Sequence, residues 1–390
     1  MLPWSLKLVN GMVIDRFCYA PMGRKRAWVI GAQAVMLATL LVAALLNPAP
    51  ADLTMLAALG FALTLCGTVS DVAVDGMAVD LIPEDERETI TAWMFGGQTV
   101  GYAGVGALSG MMLASGGVAL AASACIIVVA LLTLMVTLLR ERPGERLLPW
   151  TRGTASAQCL ERTHTKFLPI LKQVLLGLVN WRTALFMAGG AMVASSISLA
   201  EIFGPAFSAS SLGWGGEDYP NFYGASSVVT TLALMVCMGP LIKKFGNITV
   251  FIGLTGVMAI ANAAVFLVGS DAFTTLAMQA YITVIWAGFI GFVILICAWS
   301  MNLTNPLVAA SQFALFMAIP NFARSFTLGG YGQFIEAYGY DAAFLVATGS
   351  IAAGVGLCLI AGYGRMATLP ANSGSARNAD QTILPQGALA

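Results

Sequence analysis

Charged residues are scarce in this sequence. Of its 390 residues only 10% are Asp, Glu, Lys or Arg, whereas 58% are hydrophobic. A soluble domain carries about a quarter charged residues, so this balance excludes most soluble classes. The 19 basic and 19 acidic residues cancel, which leaves no excess positive charge to suggest a nucleic-acid partner.

Motifs for catalysis, cofactors and metal ions are missing as well. The seven cysteines are scattered without a CxxC pair, and the single histidine, His164, lies in a polar loop. We interpret the cysteines as packing residues and His164 as a solvated side chain, rather than as metal ligands. The sequence contains no P-loop (GxxxxGKS or GxxxxGKT) for ATP and no recognisable nucleophile–base pair. It therefore predicts neither an enzyme nor a bound cofactor.

Long apolar runs are abundant. Runs of about 20 residues, enough to cross a bilayer as a helix, recur along the whole chain, and Gly97, Gly101, Gly106 and Gly110 suggest close packing between helices. We therefore predict an all-α polytopic membrane protein. Its 11 predicted spans are 1–14, 27–46, 53–79, 90–114, 117–139, 183–204, 221–242, 248–268, 272–298, 307–334 and 341–363.

The loops between the spans alternate in charge. One set contains nearly all of the arginines and lysines, including Arg16, Arg24, Arg87 and the loop 140–182. The other set (47–52, 205–220, 269–271 and 335–340) has no Lys or Arg. The positive-inside rule therefore places the first set, with the C-terminus, in the cytoplasm. We expect the membrane to be the cell (inner) membrane. Cys159, in the long loop, is then predicted to face the cytoplasm, and labelling of its thiol would test this orientation.

An internal repeat explains why the first span is short. Residues 11–17, GMVIDRF, align with residues 239–245, GPLIKKF, and each stretch closes a helix. A whole helix, 183–204, precedes this element in the second half, but no counterpart precedes it in the first. The repeat predicts two six-helix halves without the first helix of the first half. Either the true start lies upstream or the chain is a shortened form.

The repeat also divides the chain into segments. Residues 1–139 form the N-terminal helical half and 182–364 the C-terminal six-helix half. Residues 140–181 are a cytoplasmic linker, whose stretch 166–178 is amphipathic enough to lie along the membrane surface. Residues 365–390, rich in Ser, Asn and Gly, are expected to be a disordered cytoplasmic tail.

Several motifs resemble a known family. GMVIDRFCYAPMGRKR (11–26) is similar to the cytoplasmic signature loop of the major facilitator superfamily. With SDVAVDGMAVD (70–80), GGQTVGY (96–102) and NPLVAASQFALFMAIPNFARS (305–325), the chain resembles the peptide/acetyl-coenzyme A/drug transporter group. That group includes AmpG-type muropeptide permeases and acetyl-CoA transporters. The resemblance implies a proton-coupled secondary transporter (a symporter by type) in which two halves rock about a small-molecule substrate. We expect it to be a monomer.

The signature loop implies a conformational latch formed by Asp15, Arg16, Gly23, Arg24 and Arg26. Its Asp is expected to cap the N-terminus of a neighbouring helix and to pair with Arg, which would hold the halves in one state. A plain positive-inside anchor would explain the arginines but not the Asp.

Charged side chains inside the spans are costly and suggest function. Asp71 and Asp75 lie four residues apart on one helix face, whereas Asp80 is expected to be a cap or loop anchor. Lys7 and Asp75 both lie about 13 Å from the cytoplasmic ends of their helices. The pair Lys7–Asp75 either holds the half together or keeps one carboxylate charged while Asp71 carries the coupling proton.

The second half contains a similar pair. Glu201 and Arg324 both lie near the outer edge of the membrane, where they either form a gate-like pair or extend separately to the interface. Gln98, Gln312 and Asn321 are candidate polar side chains of the cavity. The alternative is that they form structural hydrogen bonds between helices, which is favoured for Gln98.

The predicted function is proton-coupled transport of an organic solute such as a muropeptide, peptide, acyl-CoA or drug. The interior charges are not strongly cationic, which argues against a highly anionic solute. The alternatives are a uniporter or exchanger with structural Asp residues and a truncated membrane protein that does not transport.

Overall fold

A computed structural model of the protein describes residues 6–49, 51–161, 167–215, 218–269 and 274–362. The predicted tail 365–390, His164 and the first five residues of the first span lie outside these ranges. Within the described ranges the chain forms α-helices and short 3₁₀ turns, without a β-strand.

The α-helices of the described residues are numbered here along the chain. They are α1 (Lys7–Arg16), α2 (Arg26–Leu46), α3 (Leu53–Leu81), α4 (Arg87–Leu138), α5 (Ala157–Glu161), α6 (Phe167–Val179), α7 (Trp181–Ser211), α8 (Asp218–Phe245), α9 (Asn247–Val268), α10 (Thr275–Leu303) and α11 (Ala309–Ile360). The 3₁₀ turns are Ala20–Met22, Glu84–Glu86 and Pro306–Val308.

Two helices are much longer than a bilayer is thick, and glycine interrupts both. α4 and α11 each contain 52 residues, about 78 Å if straight, against about 30 Å of hydrocarbon. The backbone leaves helical angles at Gly116 and Gly117 in α4 and at Gly339 in α11. The φ angles of +68° at Gly117 and +80° at Gly339 are accessible to glycine because it lacks a Cβ. Each helix therefore comprises two segments: α4a (87–115) and α4b (118–138), and α11a (309–338) and α11b (340–360).

The predicted fold class is confirmed. Eight helices of the described residues are long and apolar enough to cross a membrane. The two broken helices each supply two crossings, and α1, with ten residues, occupies the position of the short first span. The breaks in α4 and α11 coincide with the predicted gaps between spans at 114–117 and 334–341.

The chain reverses direction at the break in α4. At one end of α2, Asn47 Oδ1 accepts a hydrogen bond of 2.9 Å from the N–H of Ala119, at the start of α4b. At the other end, Arg26 donates to the carbonyls of Val136 and Thr137, at 3.0 and 2.8 Å, where α4b finishes. The helices α2 and α4b are therefore antiparallel.

The break in α11 has the same effect. Cys358, near the end of α11b, contacts the Phe186 carbonyl near the start of α7, whereas Phe344, early in α11b, packs against Phe203, far along α7. Both halves, α1–α4 and α7–α11, therefore return to the same end of the bundle. We call it the basic end because Arg24, Lys25, Arg26 and Arg87 lie there.

Close packing between helices does not occur where the sequence suggested it. A Cβ added at Gly97, Gly101, Gly106 or Gly110 would meet no described atom within 4 Å, so the predicted packing face of α4 is wrong for this part of the chain. At Gly11 an added Cβ would instead lie 2.7 Å from the backbone of Ser311. The helices α1 and α11a, from opposite halves, are therefore in backbone contact there.

Candidate functional site

A charged cluster joins α1 and α3 inside the first half. Lys7 Nζ lies 2.5 Å from Asp71 Oδ2, and the two side chains are 18% and 26% exposed. The predicted pairing of Lys7 with Asp75 is therefore wrong. The prediction matched only the depths of the backbone positions, whereas the four-carbon lysine stem reaches about one helical turn.

Asp75 completes this cluster without joining the ion pair. It follows Asp71 by one turn on the same face of α3 and forms no hydrogen bond or ion pair with a described residue. Cys297, on α10 of the second half, packs in one apolar cluster with Ala78 and Val79, which follow Asp75 on α3. The cluster therefore lies near the boundary between the halves.

Asp15 connects the two halves at the basic end. Its carboxylate accepts hydrogen bonds from the backbone N–H of Ser311 at 2.8 Å, from the Ser311 hydroxyl at 2.6 Å and from the N–H of Ala310 at 3.4 Å. These donors belong to the first turn of α11, where backbone N–H groups lack helical partners. Asp15 thus makes the helix-capping contact that the signature loop suggested.

Arg24 makes a second connection between the halves. It donates to the carbonyls of Pro306 and Leu307, at 2.8 and 3.0 Å, in the turn before α11. Asp15 Oδ1 lies 3.9 Å from its guanidinium. Asp80, at the end of α3, accepts from Arg24 at 3.1 Å and from Lys25 at 2.5 Å. Asp80 therefore anchors the loop, which agrees with its predicted role.

Gly23 and Arg26 hold the same loop against the linker. Glu141 accepts from the backbone N–H groups of Arg24, Lys25 and Arg26 at 3.0–3.1 Å and so caps α2. A Cβ at Gly23 would lie 2.4 Å from the Glu141 carboxylate. Arg26 also donates to the carbonyls of residues 146 and 147 in the linker. These contacts stay within the first half and the linker.

Arg16 is placed apart from this network. Its guanidinium lies 4.8 Å from the ring of Phe17 and 5.8 Å from the ring of Phe167, at the start of α6. It therefore contacts the amphipathic helix of the linker and makes no described polar contact with the second half.

A further pair of polar contacts between the halves was missed in the sequence. Arg87 Nη1 donates to Asn302 Oδ1 at 2.6 Å, and Asn247 Nδ2 donates to Glu88 Oε1 at 2.6 Å. The repeat offered a signal for them. Asn247 comes shortly after the second copy of the repeated motif, residues 239–245. In the first half, the signature loop continues from the corresponding place.

Glu201 and Arg324 form an ion pair between α7 and α11a. Both side chains are partly exposed, at 21% and 32%, and the Arg324 guanidinium lies 5.6 Å from the ring of Phe289. Glu201 also borders a pocket with Tyr219, Tyr223 and Trp286, among other side chains. Of the two predicted arrangements, the paired one is observed.

The predicted polar side chains of the cavity lie elsewhere. Gln312 is buried at the basic end, where its Oε1 accepts the N–H of Asn305 at 2.6 Å. The prediction that Gln312 lines the cavity is wrong. The Asn305 N–H lies in the irregular turn before α11, and the Gln312 side chain supplies the acceptor that this buried donor needs. Asn321 is exposed and donates to Met317 of its own helix. Gln98 is exposed on α4a. Neither borders the pocket beside Glu201.

Known proteins share both the sequence pattern and the fold. The chain matches the Major Facilitator Superfamily over residues 3–328. A bacterial homologue of the iron transporter ferroportin, in the outward-facing state, has a TM-score of 0.66 at 13% identity and covers 93% of this chain and 87% of its own. The E. coli fucose:proton symporter has a TM-score of 0.62 at 14% identity, with 91% and 90% covered. The proton:xylose symporter has a TM-score of 0.59 at 12% identity, with 92% and 83% covered. Since the family match extends over most of the sequence, this chain belongs to the major facilitator superfamily of membrane transporters.

Proposed function

We propose that this chain is a secondary active transporter that moves an organic solute across the cell inner membrane, coupled to protons, as a monomer. The observation that carries the proposal is the cluster of Lys7, Asp71 and Asp75, which places one positive charge beside two carboxylates within the membrane. The C-terminus and the basic end face the cytoplasm in this proposal, as the distribution of arginine and lysine suggests.

Alternating access is supported by where the polar contacts between the halves lie. Asp15 with Ser311, Arg24 with Pro306, Arg87 with Asn302 and Glu88 with Asn247 are all at the basic end. We interpret this arrangement as a transporter closed towards the cytoplasm. Rocking of the halves would have to break these contacts and form others at the opposite end.

Charge counting supports a coupling role for the cluster. A net charge within a bilayer is costly, and Lys7 can compensate only one of the two carboxylates. With Asp71 ionised against Lys7, a proton on Asp75 leaves the cluster without net charge, whereas loss of that proton leaves it negative. We therefore assign the exchangeable proton to Asp75. The sequence-based expectation that Asp71 carries the proton depended on a Lys7–Asp75 pair, whereas Lys7 contacts Asp71 directly.

The solute is proposed from the charges of the interior. The Glu201–Arg324 pair is neutral as a unit, and the charges of Lys7 and Asp71 also cancel. Such an interior suits a muropeptide, peptide or drug better than a highly anionic acyl-CoA. The AmpG-type group of permeases is the subgroup that the sequence motifs favour.

The coupling proposal can be tested in proteoliposomes with an inward proton gradient. We would measure uptake of labelled glucose, an N-acetylated disaccharide, a dipeptide and acetyl-CoA. For the solute that accumulates, Asp75→Asn should abolish accumulation driven by the gradient but retain exchange of solute between the two sides. Accumulation by Asp75→Asn with unchanged pH dependence would contradict the assignment.

Asp71→Asn is the matched control on the same helix face. It removes the direct partner of Lys7 and should lower the yield of folded protein. If both variants accumulate solute as the parent does, the Lys7–Asp71 pair is purely structural. The coupling proton would then be bound elsewhere, whereas a parent protein that equilibrates solute without accumulating it would be a uniporter or exchanger.

A further inference from the structure

The contacts between the halves at the basic end follow the internal repeat. The helices α4 and α11 start 222 residues apart, and their breaks at Gly117 and Gly339 have the same separation. Thr89 and Ser311 are also separated by this distance. They therefore occupy equivalent positions in the first turns of the two helices.

Each of these two positions faces a glycine of the other half. A Cβ added at Gly11 would lie 2.7 Å from the backbone of Ser311, and one added at Gly239 would lie 3.0 Å from the hydroxyl oxygen of Thr89. The two glycines begin the two copies of the repeated motif. The basic end is therefore closed by two contacts that are approximately equivalent.

A buried carboxylate lies beside each contact, but the partners of the two carboxylates differ. Asp15 accepts from the backbone of α11, and its Oδ1 lies 3.9 Å from the guanidinium of Arg24. Glu88 is only 5% exposed, and its Oε1 accepts from Asn247 Nδ2 at 2.6 Å. The neighbouring indole of Trp299 is uncharged. Within the described part of the chain, Glu88 forms no ion pair.

The positive charges around Glu88 are used elsewhere or are exposed. The guanidinium of the adjacent Arg87 donates to Asn302 and to carbonyl groups at the end of α3. Lys243 and Lys244, at the end of α8, are exposed. The acidic groups nearby are Asp80, which pairs with Arg24 and Lys25, and the exposed Glu84, Asp85 and Glu86. The charge of an ionised Glu88 is therefore poorly compensated in this state.

Such a carboxylate is easier to protonate than one in water, because burial penalises the charged form. Separation of the halves at the basic end takes Glu88 away from Asn247 and returns it to water. There it should ionise like an ordinary glutamate, with a pKa of about 4.3. Protonation of Glu88 and closure of the basic end therefore favour each other.

We propose that Glu88 is a second proton-binding site, which takes up a proton when the basic end closes and releases it to the same side when that end opens. The site is separate from Asp75, to which the coupling proton is assigned. The inference rests on the alternating access of the proposed function and does not require coupling at Asp75.

The pH dependence has a definite direction. Protonation stabilises the closed state fully at pH values below the pKa that Glu88 has in the open state. This stabilisation is lost as the pH rises to values at which the buried carboxyl group also ionises. Over that interval the ratio of closed to open molecules should fall by up to about tenfold per pH unit, the limit for one proton.

The test is double electron–electron resonance of the purified full chain in detergent, without solute. Spin labels at Phe17→Cys and Phe245→Cys, which are exposed positions of opposite halves, report the separation at the basic end. The cysteines that are not buried, Cys18, Cys125 and Cys237, are changed to Ser. The population at short distance should decrease between about pH 4 and about pH 9.

Variants of the carboxylates identify the group. Glu88→Gln keeps an acceptor for Asn247 without a titratable proton, so its short-distance population should remain as high as that of the parent at low pH and should not change with pH. Glu86→Gln removes an exposed carboxylate two residues away and should keep the pH dependence of the parent. A parent distribution that does not change with pH, or an unchanged pH dependence in Glu88→Gln, would overturn the proposal.

Asn247→Asp is a second test that leaves Glu88 in place. It brings another carboxylate against Glu88, so the closed state needs at least one proton for the pair. The change in the ratio of closed to open molecules with pH should become larger than in the parent. An equal or smaller change would contradict the proposal.

Failure of this inference can be told apart from failure of the transport proposal, because the distances are measured without solute or gradient. Asp75→Asn should keep the pH dependence of the distances, and its loss in that variant would assign the effect to Asp75 instead. If Glu88→Gln removes the pH dependence but no solute accumulates in proteoliposomes, the inference stands and the coupling proposal fails.

Discussion

Asp15 Oδ2 accepts hydrogen bonds from both the backbone N–H and the hydroxyl of Ser311, at 2.8 and 2.6 Å. One carboxylate of the first half therefore holds the first turn of a helix in the second half. The Asp15 side chain is fully buried. Separation of the halves at the basic end must break both bonds at once and return the carboxylate to water.

Asp15→Ala should therefore favour the state that is open at the basic end. Loss of a capping side chain costs about 1–2 kcal/mol, which corresponds to a shift of about 5- to 30-fold in a two-state equilibrium. Spin labels at Phe17→Cys and Phe245→Cys, both at exposed positions of opposite halves, would report the separation by double electron–electron resonance. The population at longer distance should increase.

Asp52→Ala is the matched control for this change. Asp52 is an exposed carboxylate at the opposite end that accepts a backbone hydrogen bond from Ala49. Its loss should leave the distance distribution as in the parent. An unchanged distribution in Asp15→Ala as well would show that the Asp15 contact does not set the equilibrium between states.

Gly11→Ala should act in the same direction by a steric route. An added Cβ would lie 2.7 Å from Ser311 Cα and 2.9 Å from the Ala310 carbonyl oxygen, and these backbone atoms cannot move aside as a flexible side chain can. The halves must separate at the basic end to accommodate it, so the same spin-label distance should lengthen. Gly31→Ala on α2, where a Cβ meets nothing within 4 Å, should leave it unchanged. Equal distances in the two variants would contradict the close approach of α1 and α11.

The fold could be predicted from the sequence more completely than the contacts. The spans follow from hydrophobic length, because a helix needs about 20 apolar residues to cross the bilayer. Gly117 and Gly339 lie at the breaks, because glycine can adopt the positive φ angles found there. Asp15 and Asp80 were also predictable, because the resemblance of the signature loop implied a helix cap at Asp15 and because Asp80 lies close to the cytoplasmic end of its predicted helix.

The partner of Lys7 and the position of Gln312 could not be predicted in this way. Both depend on side-chain reach and on an irregular turn, which helix periodicity does not contain. The Trp286 pocket was missed because its aromatic residues come from α8 and α10, and only tertiary packing brings those helices together.

Cys159 should be an unsuitable label for the orientation of the linker, although the sequence suggested it. Its side chain is fully buried, and burial raises the pKa of its thiol to about 11. Alkylation requires the thiolate, so at pH 7.5 the single-cysteine protein should react far more slowly than a variant with Leu160→Cys as its only cysteine. Leu160 is 60% exposed.

The pH dependence of alkylation distinguishes the two cysteines further. The rate at position 160 should level off above the ordinary thiol pKa of about 8.5, whereas the rate at Cys159 should still be rising there. For orientation, a membrane-impermeant maleimide should label Leu160→Cys only after the cells are opened. Labelling in intact cells would reverse the proposed topology.

The Glu201–Arg324 pair predicts non-additive effects of mutation. Glu201→Gln leaves the Arg324 guanidinium without its carboxylate, and Arg324→Gln leaves the Glu201 carboxylate without its cation, so each single change should lower the thermal stability of the detergent-solubilised protein. The double variant leaves no uncompensated charge and should recover much of that loss. The partial exposure of both side chains makes each single effect modest. Additive losses in the double variant would show that the two residues act independently.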